Sequence, residues 1–385
     1  MIGTLLSRNV YIKFGHSNIY PNQYILLTGG PGTRKGTAIR IGKELIKSTG
    51  FKHFAPNRAA KEAMWHQMGL QSAEDFEFSA VTEMYIAQDE FVDFVGIGND
   101  ELVTNLTNLW DNLSEFINPK LTKEDVYISK PTINIISGSA PGTINEAFSS
   151  LALSGGFFSR VLFIYGGYSG TKVTWPSMPD AELQSKLAAH LSQIRELNGE
   201  VILGQEEKQL LDAIYKGFPG VSDRRFSYYA QRRFTHLLKL IIIVAASRLS
   251  LVPNKRDIIL ANTILHVAEL RMPYALGEYG KSKFSEVAST IMEIIKASDK
   301  PINSKELWKQ VSQDLDRFTA LTEILQNLLS AGRIQQVKKD GKTAGYLPMI
   351  DVTSRWADDL IDFSLVEREE SPAVQFEKEP DYYEL

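Results

Sequence analysis

Tyr24–Arg40 reads YILLTGGPGTRKGTAIR, and the fold turns on this stretch. Tyr24, Ile25, Leu26 and Leu27 form a short apolar run, the pattern of a buried parallel strand. Gly29-Gly30-Pro31-Gly32-Thr33-Arg34-Lys35-Gly36-Thr37 follows, then a helix-compatible run over Ala38–Lys47. Strand, glycine-rich turn, lysine and helix is the order of a phosphate-binding P-loop. Glycines let successive backbone N–H groups curl around phosphate oxygens, and a helix N-terminus adds partial positive charge. The expected nucleotide-binding residues are therefore Gly30, Gly32, Thr33, Arg34, Lys35, Gly36 and Thr37, with Lys35 reaching the β- and γ-phosphates. The pattern G-x-x-x-x-G-K-[ST] is departed from twice. Arg34 replaces the second motif glycine, and Gly36 stands where a Mg²⁺-binding hydroxyl belongs. Thr37, one place on, is the expected substitute ligand.

Tyr85-Ile86-Ala87-Gln88-Asp89-Glu90 supplies the second half of such a site: an apolar strand ending in two carboxylates. Asp89 is expected to hold Mg²⁺ directly or through water, and Glu90 to polarise an attacking water. Taken alone, a strand ending in Asp-Glu is more often a solvated strand end. ATP and Mg²⁺ are the cofactors that the two halves together imply. Thr132–Ile136 reads as a strand that ends in Ser137-Gly138-Ser139. A polar residue at the tip of a strand beside the carboxylates can hold the attacking water or the γ-phosphate. Ser139 is the first choice and Ser137 the second.

Composition bounds the rest. The chain has 385 residues, 43% hydrophobic and 23% charged, which suits two or three globular domains. The formal charge of −4 and pI of about 6.0 exclude a generally basic coat, so any nucleic-acid contact must be local. There is no cysteine, which excludes disulfides, Cys-ligated zinc and a thiol nucleophile and fits a cytoplasmic location. The six histidines show no metal-ligand spacing. No signal-peptide layout stands at the amino terminus. The longest apolar run, Leu237–Val252, is too short for a bilayer and carries Lys239 and Arg248, so no membrane contact is expected.

Glu101–Phe116 has helical apolar spacing, and Ile117–Lys130 reads as a lysine-bearing hairpin. Gly155–Ile164 (GGFFSRVLFI) puts Ser159-Arg160 at the mouth of another buried strand. That arginine is either a surface ion pair or a finger reaching a neighbouring subunit's nucleotide. Arg224–Leu249 and Ile258–Tyr279 read as two long helices. Between Phe284 and Met349, three helical patterns precede two strand-like runs around Lys338-Lys339-Asp340-Gly341-Lys342. That is the layout of a winged helix, and Lys338 and Lys339 at its tip suggest nucleic acid. Glu367–Leu385 holds seven acidic and two basic residues and reads as a disordered tail, either a solubilising end or a partner-docking peptide.

The order GGPGTRKGT, AQDE, lysine hairpin, ISGSAP, GGFFSR and an Arg-led helix resembles an AAA+ helicase core. Its layout is similar to that of the minichromosome maintenance helicases. It also resembles the P-loop domain of phage and mobile-element primase–helicase proteins. The resemblance spans roughly Ile19–Leu270. It implies an α/β fold with a P-loop AAA+ core on a parallel sheet, a helical lid and a C-terminal winged-helix domain. The implied boundaries are a lead-in at 1–20, the ATPase core at 21–175, the lid region at 176–282, the winged helix at 283–350 and the acidic tail at 351–385. It implies Lys35, Thr37, Asp89 and Glu90 as P-loop and Walker B residues, and Ser139 as sensor 1. Arg160 falls at the arginine finger, although Val161 replaces that motif's phenylalanine, and Arg232 at sensor 2. Lys120 and Lys123, on the hairpin, would contact DNA. The implied activity is that of an ATP-driven, ring-forming DNA helicase, a homo-hexamer, in replication of a phage or mobile element. A primase or single-strand-binding protein would dock on the acidic tail. An AAA+ initiator or helicase loader, and an ATP-driven protein remodeller, are the alternatives.

Overall fold

The computed structural model of the chain describes residues 1–56, 61–73, 81–118, 126–141, 143–144, 156–167, 174–175, 180–221, 223–276, 287–288, 290–292, 294–295, 298, 300–315, 317–330, 334–339, 342–348 and 360–366. The expectations for Lys120, Lys123, the Asp340-Gly341 turn and the tail from Glu367 onward fall outside these residues.

In chain order the first half runs α1 (Ile2–Leu6), β1 (Val10–Phe14), β2 (Ser17–Ile19), β3 (Tyr24–Thr28), α2 (Lys35–Lys47), α3 (Lys61–Ala73), β4 (Glu83–Gln88), α4 (Phe91–Val95), α5 (Asp100–Leu109), β5 (Glu115–Asn118), β6 (Val126–Ser129), β7 (Thr132–Ser139) and β8 (Val161–Tyr165). The second half runs α6 (Ala181–Arg195), β9 (Gly199–Glu200), α7 (Gln205–Gly217), α8 (Ser227–Ser247), α9 (Lys255–Ala275), α10 (Ser304–Val311), α11 (Phe318–Ser330), β10 (Ile334–Lys339) and β11 (Lys342–Pro348).

The fold is α/β, built on a four-stranded parallel sheet in the order β4-β7-β3-β8. A parallel sheet covered on both faces needs strands that are apolar throughout rather than alternating. β4 and β7 are buried along nearly their whole length, and β3 and β8 along most of it. β7 runs past its expected end at Ile136 to Ser139, because its ladder with β3 continues as far as Thr28↔Ser139. Backbone bonds of Tyr85 to His53 and Ala55 add a single bridge outside β4. α2 packs on β4 and β7, and α9 on β8.

Three expectations shift. The helix read over Glu101–Phe116 ends at Leu109, and Glu115 and Phe116 belong instead to β5. Asn112, at φ 58°, turns the chain, and its side-chain amide donates to Asn22 Oδ1 at 2.9 Å. The hairpin itself forms, as antiparallel β5–β6. The segment before residue 21 is also more than a lead-in. β1 pairs with β2 and, in parallel, with β9, with Val10 level with Gly199, tying it to the helical region 189 residues on. The long helix read from Arg224 begins at Ser227, after a single 3₁₀ turn over Arg224–Phe226.

A second, separate hydrophobic core lies further along the chain. Leu307 and Val311 of α10, Leu321, Leu325 and Leu328 of α11, and Ile334 of β10 pack with Val287, Ile291 and Ile295. β10 and β11 form an antiparallel hairpin, and Ile302 bridges to Tyr346 beside it.

Candidate active site

The glycine-rich turn follows the C-terminal end of β3. Gly32 stands at φ 80° and Arg34 at φ 61°, ψ 26°, both left-handed. At residue 34 the motif's glycine would meet this conformation freely, whereas arginine tolerates it at a cost of about 1–2 kcal/mol. Space beside Gly30 and Gly32 is open, so the mouth of the turn is clear. Gly29 is the packed one: a Cβ there would lie 2.3 Å from the Gly166 carbonyl oxygen, just past β8. Thr33 Oγ1 donates to the Gly30 carbonyl at 2.9 Å and braces the turn.

Lys35 is the first residue of α2, three residues earlier than the helix expected from Ala38. Its Nζ donates to the carbonyls of Gly29 (2.7 Å) and Gly30 (3.0 Å), so it folds back across the turn. The first-turn N–H groups of a helix have no partners within it and point the same way.

Asp89 meets this turn from β4. A Cβ built on Gly36 would come 3.0 Å from Asp89 Oδ1, so the carboxylate lies against the bare α-carbon. Gly36 is therefore the residue after Lys35 that faces the acid. Thr37, expected as the substitute hydroxyl ligand, is exposed and one helical step (about 100°) further round. The structure thus brings Gly36 to Asp89.

Glu90 follows, in extended conformation at the N-terminus of α4. Ser139 Oγ donates to Glu90 Oε1 at 2.9 Å. Ser137, two residues back and fully buried, donates instead to the Gln88 carbonyl at 2.8 Å and fixes the backbone of β4. So the first-choice serine faces the acid and the second holds the strand under it. Gly138 lies between them, and sequence reasoning missed it. A Cβ there would sit 2.3 Å from the Asp89 carbonyl oxygen and 3.6 Å from Lys35 Cβ. The glycine lets the lysine strand-turn and the carboxylate strand close on one another. A glycine between two serines at a strand tip was the available signal. A cleft of about 480 Å³ runs from Asp89 and Glu90 along Arg40 and Lys43 of α2, with Asp93 at its side.

The two arginines stand elsewhere. Val161 is level with Tyr24 and Tyr165 with Thr28, so Arg160 lies at the opposite edge of the sheet from the glycine-rich turn. Four residues of strand, roughly 13 Å, separate the two levels. Arg160 Nη2 pairs with Asp111 Oδ2 at 2.5 Å, and Nη1 donates to the Gly156 carbonyl at 3.0 Å. Arg232 of α8 lies 3.6 Å from the other oxygen of the same carboxylate. Burial, then the nearby Arg160, lowers its pKa. Both guanidinium groups stand over the Trp110 ring, at 5.8 and 6.0 Å. Asp111 and Trp110, just past α5, were not picked as site residues from the sequence, where they fell inside the helix read over Glu101–Phe116.

Behind this pair, α8 turns Arg233, His236 and Lys239 into the interior. Arg233 pairs with Glu269 at 2.6 Å, and His236 Nε2 bonds the Ser159 carbonyl at 3.0 Å. Lys239 bonds Asn22 Oδ1 and lies 4.1 Å from the Trp110 ring. Burial pushes Lys239 down to about 7 and His236 down to about 3.

Do these residues fit a Mg²⁺-nucleotide? Among the described residues, no group of three or more His, Cys, Asp or Glu gathers. Mg²⁺ bound with phosphates needs only one or two carboxylates, since the nucleotide's own oxygens complete the shell. An open glycine mouth, a lysine across it and a carboxylate at the helix start fit such a ligand. Among the described residues, no helix is long and apolar enough to cross a membrane. Comparison with the models of known protein families and with curated proteins gives no match.

Proposed function

We propose that this chain is an ATP hydrolase that works as a ring-forming DNA helicase or translocase, with an AAA+ core, a helical lid and a winged-helix domain. One observation carries the nucleotide half. The glycine-rich turn with Lys35, the Asp89 carboxylate against Gly36, and Glu90 held by Ser139 meet at one edge of a parallel sheet. In this reading the turn and Lys35 bind the phosphates. Asp89 holds Mg²⁺, which when bound neutralises charge on the phosphate oxygens. Glu90 accepts a hydrogen bond from the attacking water, and Ser139 keeps that carboxylate aimed. Such chemistry is mostly positioning and electrostatics.

The assembly half rests on Arg160 and Arg232 meeting at Asp111, at the edge away from their own glycine-rich turn. A guanidinium there serves a phosphate on a second chain. That contact is head-to-tail and closes into a ring or a helix. The β5–β6 hairpin and the separate unit carrying the β10–β11 hairpin would then bring local cationic surface to DNA, which reconciles DNA binding with a net charge of −4.

The test is hydrolysis by Lys35→Ala, by Arg160→Ala, and by mixtures of the two. Each variant alone should be inactive, and mixed subunits should regain part of the activity. Hydrolysis by Lys35→Ala at the normal rate would remove the nucleotide site. Strand displacement on a forked duplex checks the helicase step. A footprint on one defined sequence with no unwinding would select an initiator or loader instead.

A further inference from the structure

Two tyrosines stand beside the glycine-rich turn and take no part in the chemistry described so far. Tyr165 ends β8 and is level with Thr28, the last residue of β3 before the turn. Neighbouring strands lie about 4.8 Å apart, so Tyr165 is one strand spacing from the start of the turn. The two segments stay together beyond the strands. The Gly166 N–H donates to the Thr28 carbonyl at 2.8 Å, and the Gly166 carbonyl oxygen occupies the space that a Gly29 side chain would need. Tyr274, in the last turn of α9, brings its ring to 5.5 Å from that of Tyr165, inclined at 36°.

Tyr274 is 50% exposed, and Tyr165 is partly buried. A single exposed aromatic residue is ordinary. This one is held in place. Arg225 Nη2 donates to the carbonyl of Pro273, the residue before it, at 2.8 Å, and Arg225 is itself paired with Asp223 at 2.6 Å. The backbone is pinned, a second ring backs the first, and the outer ring stays open to solvent. It does so at the sheet edge where the space beside Gly30 and Gly32 is clear.

We propose that Tyr274, backed by Tyr165, is the platform on which the base of the bound nucleotide stacks, and that the site takes purine nucleoside triphosphates without choosing between adenine and guanine. This rests on the nucleotide site of the preceding section and adds the base to it. Stacking serves any base, because every base has a π-face, and a two-ring purine overlaps a tyrosine more than a one-ring pyrimidine does. Choosing between adenine and guanine takes hydrogen bonds to the groups that differ, a donor at adenine N6 and an acceptor at guanine O6. The tyrosine pair offers ring faces and hydroxyls, and a hydroxyl both donates and accepts. Neither purine is rejected by such a pair.

Equilibrium binding of ATP, GTP, CTP and tripolyphosphate (an anion with no base) to the full chain tests this. The unaltered chain should bind ATP and GTP alike and CTP more weakly. Tyr274→Ala should lose on the order of 10-fold in affinity for ATP and for GTP, and nothing for tripolyphosphate. Tyr274→Phe keeps the ring and should keep the affinity. Thermal melts identify a variant that has merely unfolded. If Tyr274→Ala does so, Tyr274→Leu, which keeps apolar bulk without a π-face, should show the same loss. A folded Tyr274→Ala or Tyr274→Leu chain that binds ATP as before, or that loses tripolyphosphate in equal measure, overturns the platform. A strong preference of the unaltered chain for ATP over GTP overturns the lack of choice. Lys35→Ala should weaken ATP and tripolyphosphate together. If it weakens neither, the nucleotide site itself is wrong and the platform falls with it, whereas a loss in Lys35→Ala with none in Tyr274→Ala removes the platform alone.

Discussion

Ser139 Oγ donates to Glu90 Oε1 at 2.9 Å across the ends of two parallel strands, β7 and β4. The strands bring the hydroxyl and the carboxylate level, and the hydrogen bond sets the rotamer of the acid. A carboxylate that must orient a water gains from being held, since its positional freedom is spent before the reaction.

Ser139→Ala should therefore lower kcat by roughly 10- to 100-fold with little change in nucleotide affinity. A hydrogen bond to a charged group contributes about 1.5–3 kcal/mol, and here that energy goes into aim. Steady-state kinetics beside equilibrium binding of a slowly hydrolysed analogue checks it. An equal fall in affinity would assign Ser139 to phosphate binding.

Gly138→Ala should damage the site through geometry alone. The added methyl would stand 2.3 Å from the Asp89 carbonyl oxygen, a backbone atom that cannot swing away. Overpacking of this kind costs about 1–3 kcal/mol, and here it also parts Lys35 from Asp89. A lower denaturation midpoint together with weaker nucleotide binding is expected. Unchanged binding would mean that the two strands can separate without consequence.

Gly36→Ser should weaken the Mg²⁺-dependent part of nucleotide binding and leave the Mg²⁺-free part intact. Its Cβ would come 3.0 Å from Asp89 Oδ1, so the carboxylate would have to retreat by a few tenths of an ångström. Titrations with and without Mg²⁺ separate the two parts. Tighter Mg²⁺-dependent binding would show instead that the site lacks a hydroxyl ligand.

Stability should rise with pH from about 4 to 9. The buried Lys239 sits at about 7 when folded, against 10.5 ordinarily, with Asp111 the anion facing it and Arg8 and Arg160 the cations. Between those values the unfolded chain holds more protons, so raising the pH favours the folded state. His236 sits at about 3 against 6.5, with Lys239, Arg232 and Arg233 nearby. Its contribution is complete above 6.5 and is lost as pH falls toward 3. Denaturant melts across this range test both. In Lys239→Met the rise above pH 8 should vanish and the fall below 6.5 stay, while the buried Met1 amino group, lowered by burial to about 6 from 8.0, keeps a smaller rise between those two values. Above about pH 10 the buried Tyr24, Tyr85 and Tyr229, whose hydroxyls burial raises, pull the other way.

The amino-acid sequence by itself determined the parts built from neighbours in the chain. The apolar run at Tyr24, the glycines at a tight turn, the lysine that follows them, and the carboxylates that follow β4 come from local sterics and side-chain chemistry. Tertiary structure alone decided which distant groups meet, because strand order is set by how the whole sheet buries its faces. The placement of β7 between β3 and β4 put Ser139 on Glu90 and required Gly138. The packing of α5 and α8 against the far edge put Arg160 and Arg232 on one aspartate. That choice rests on burial and ion pairing across 49 and 121 residues of chain, a separation no local pattern encodes.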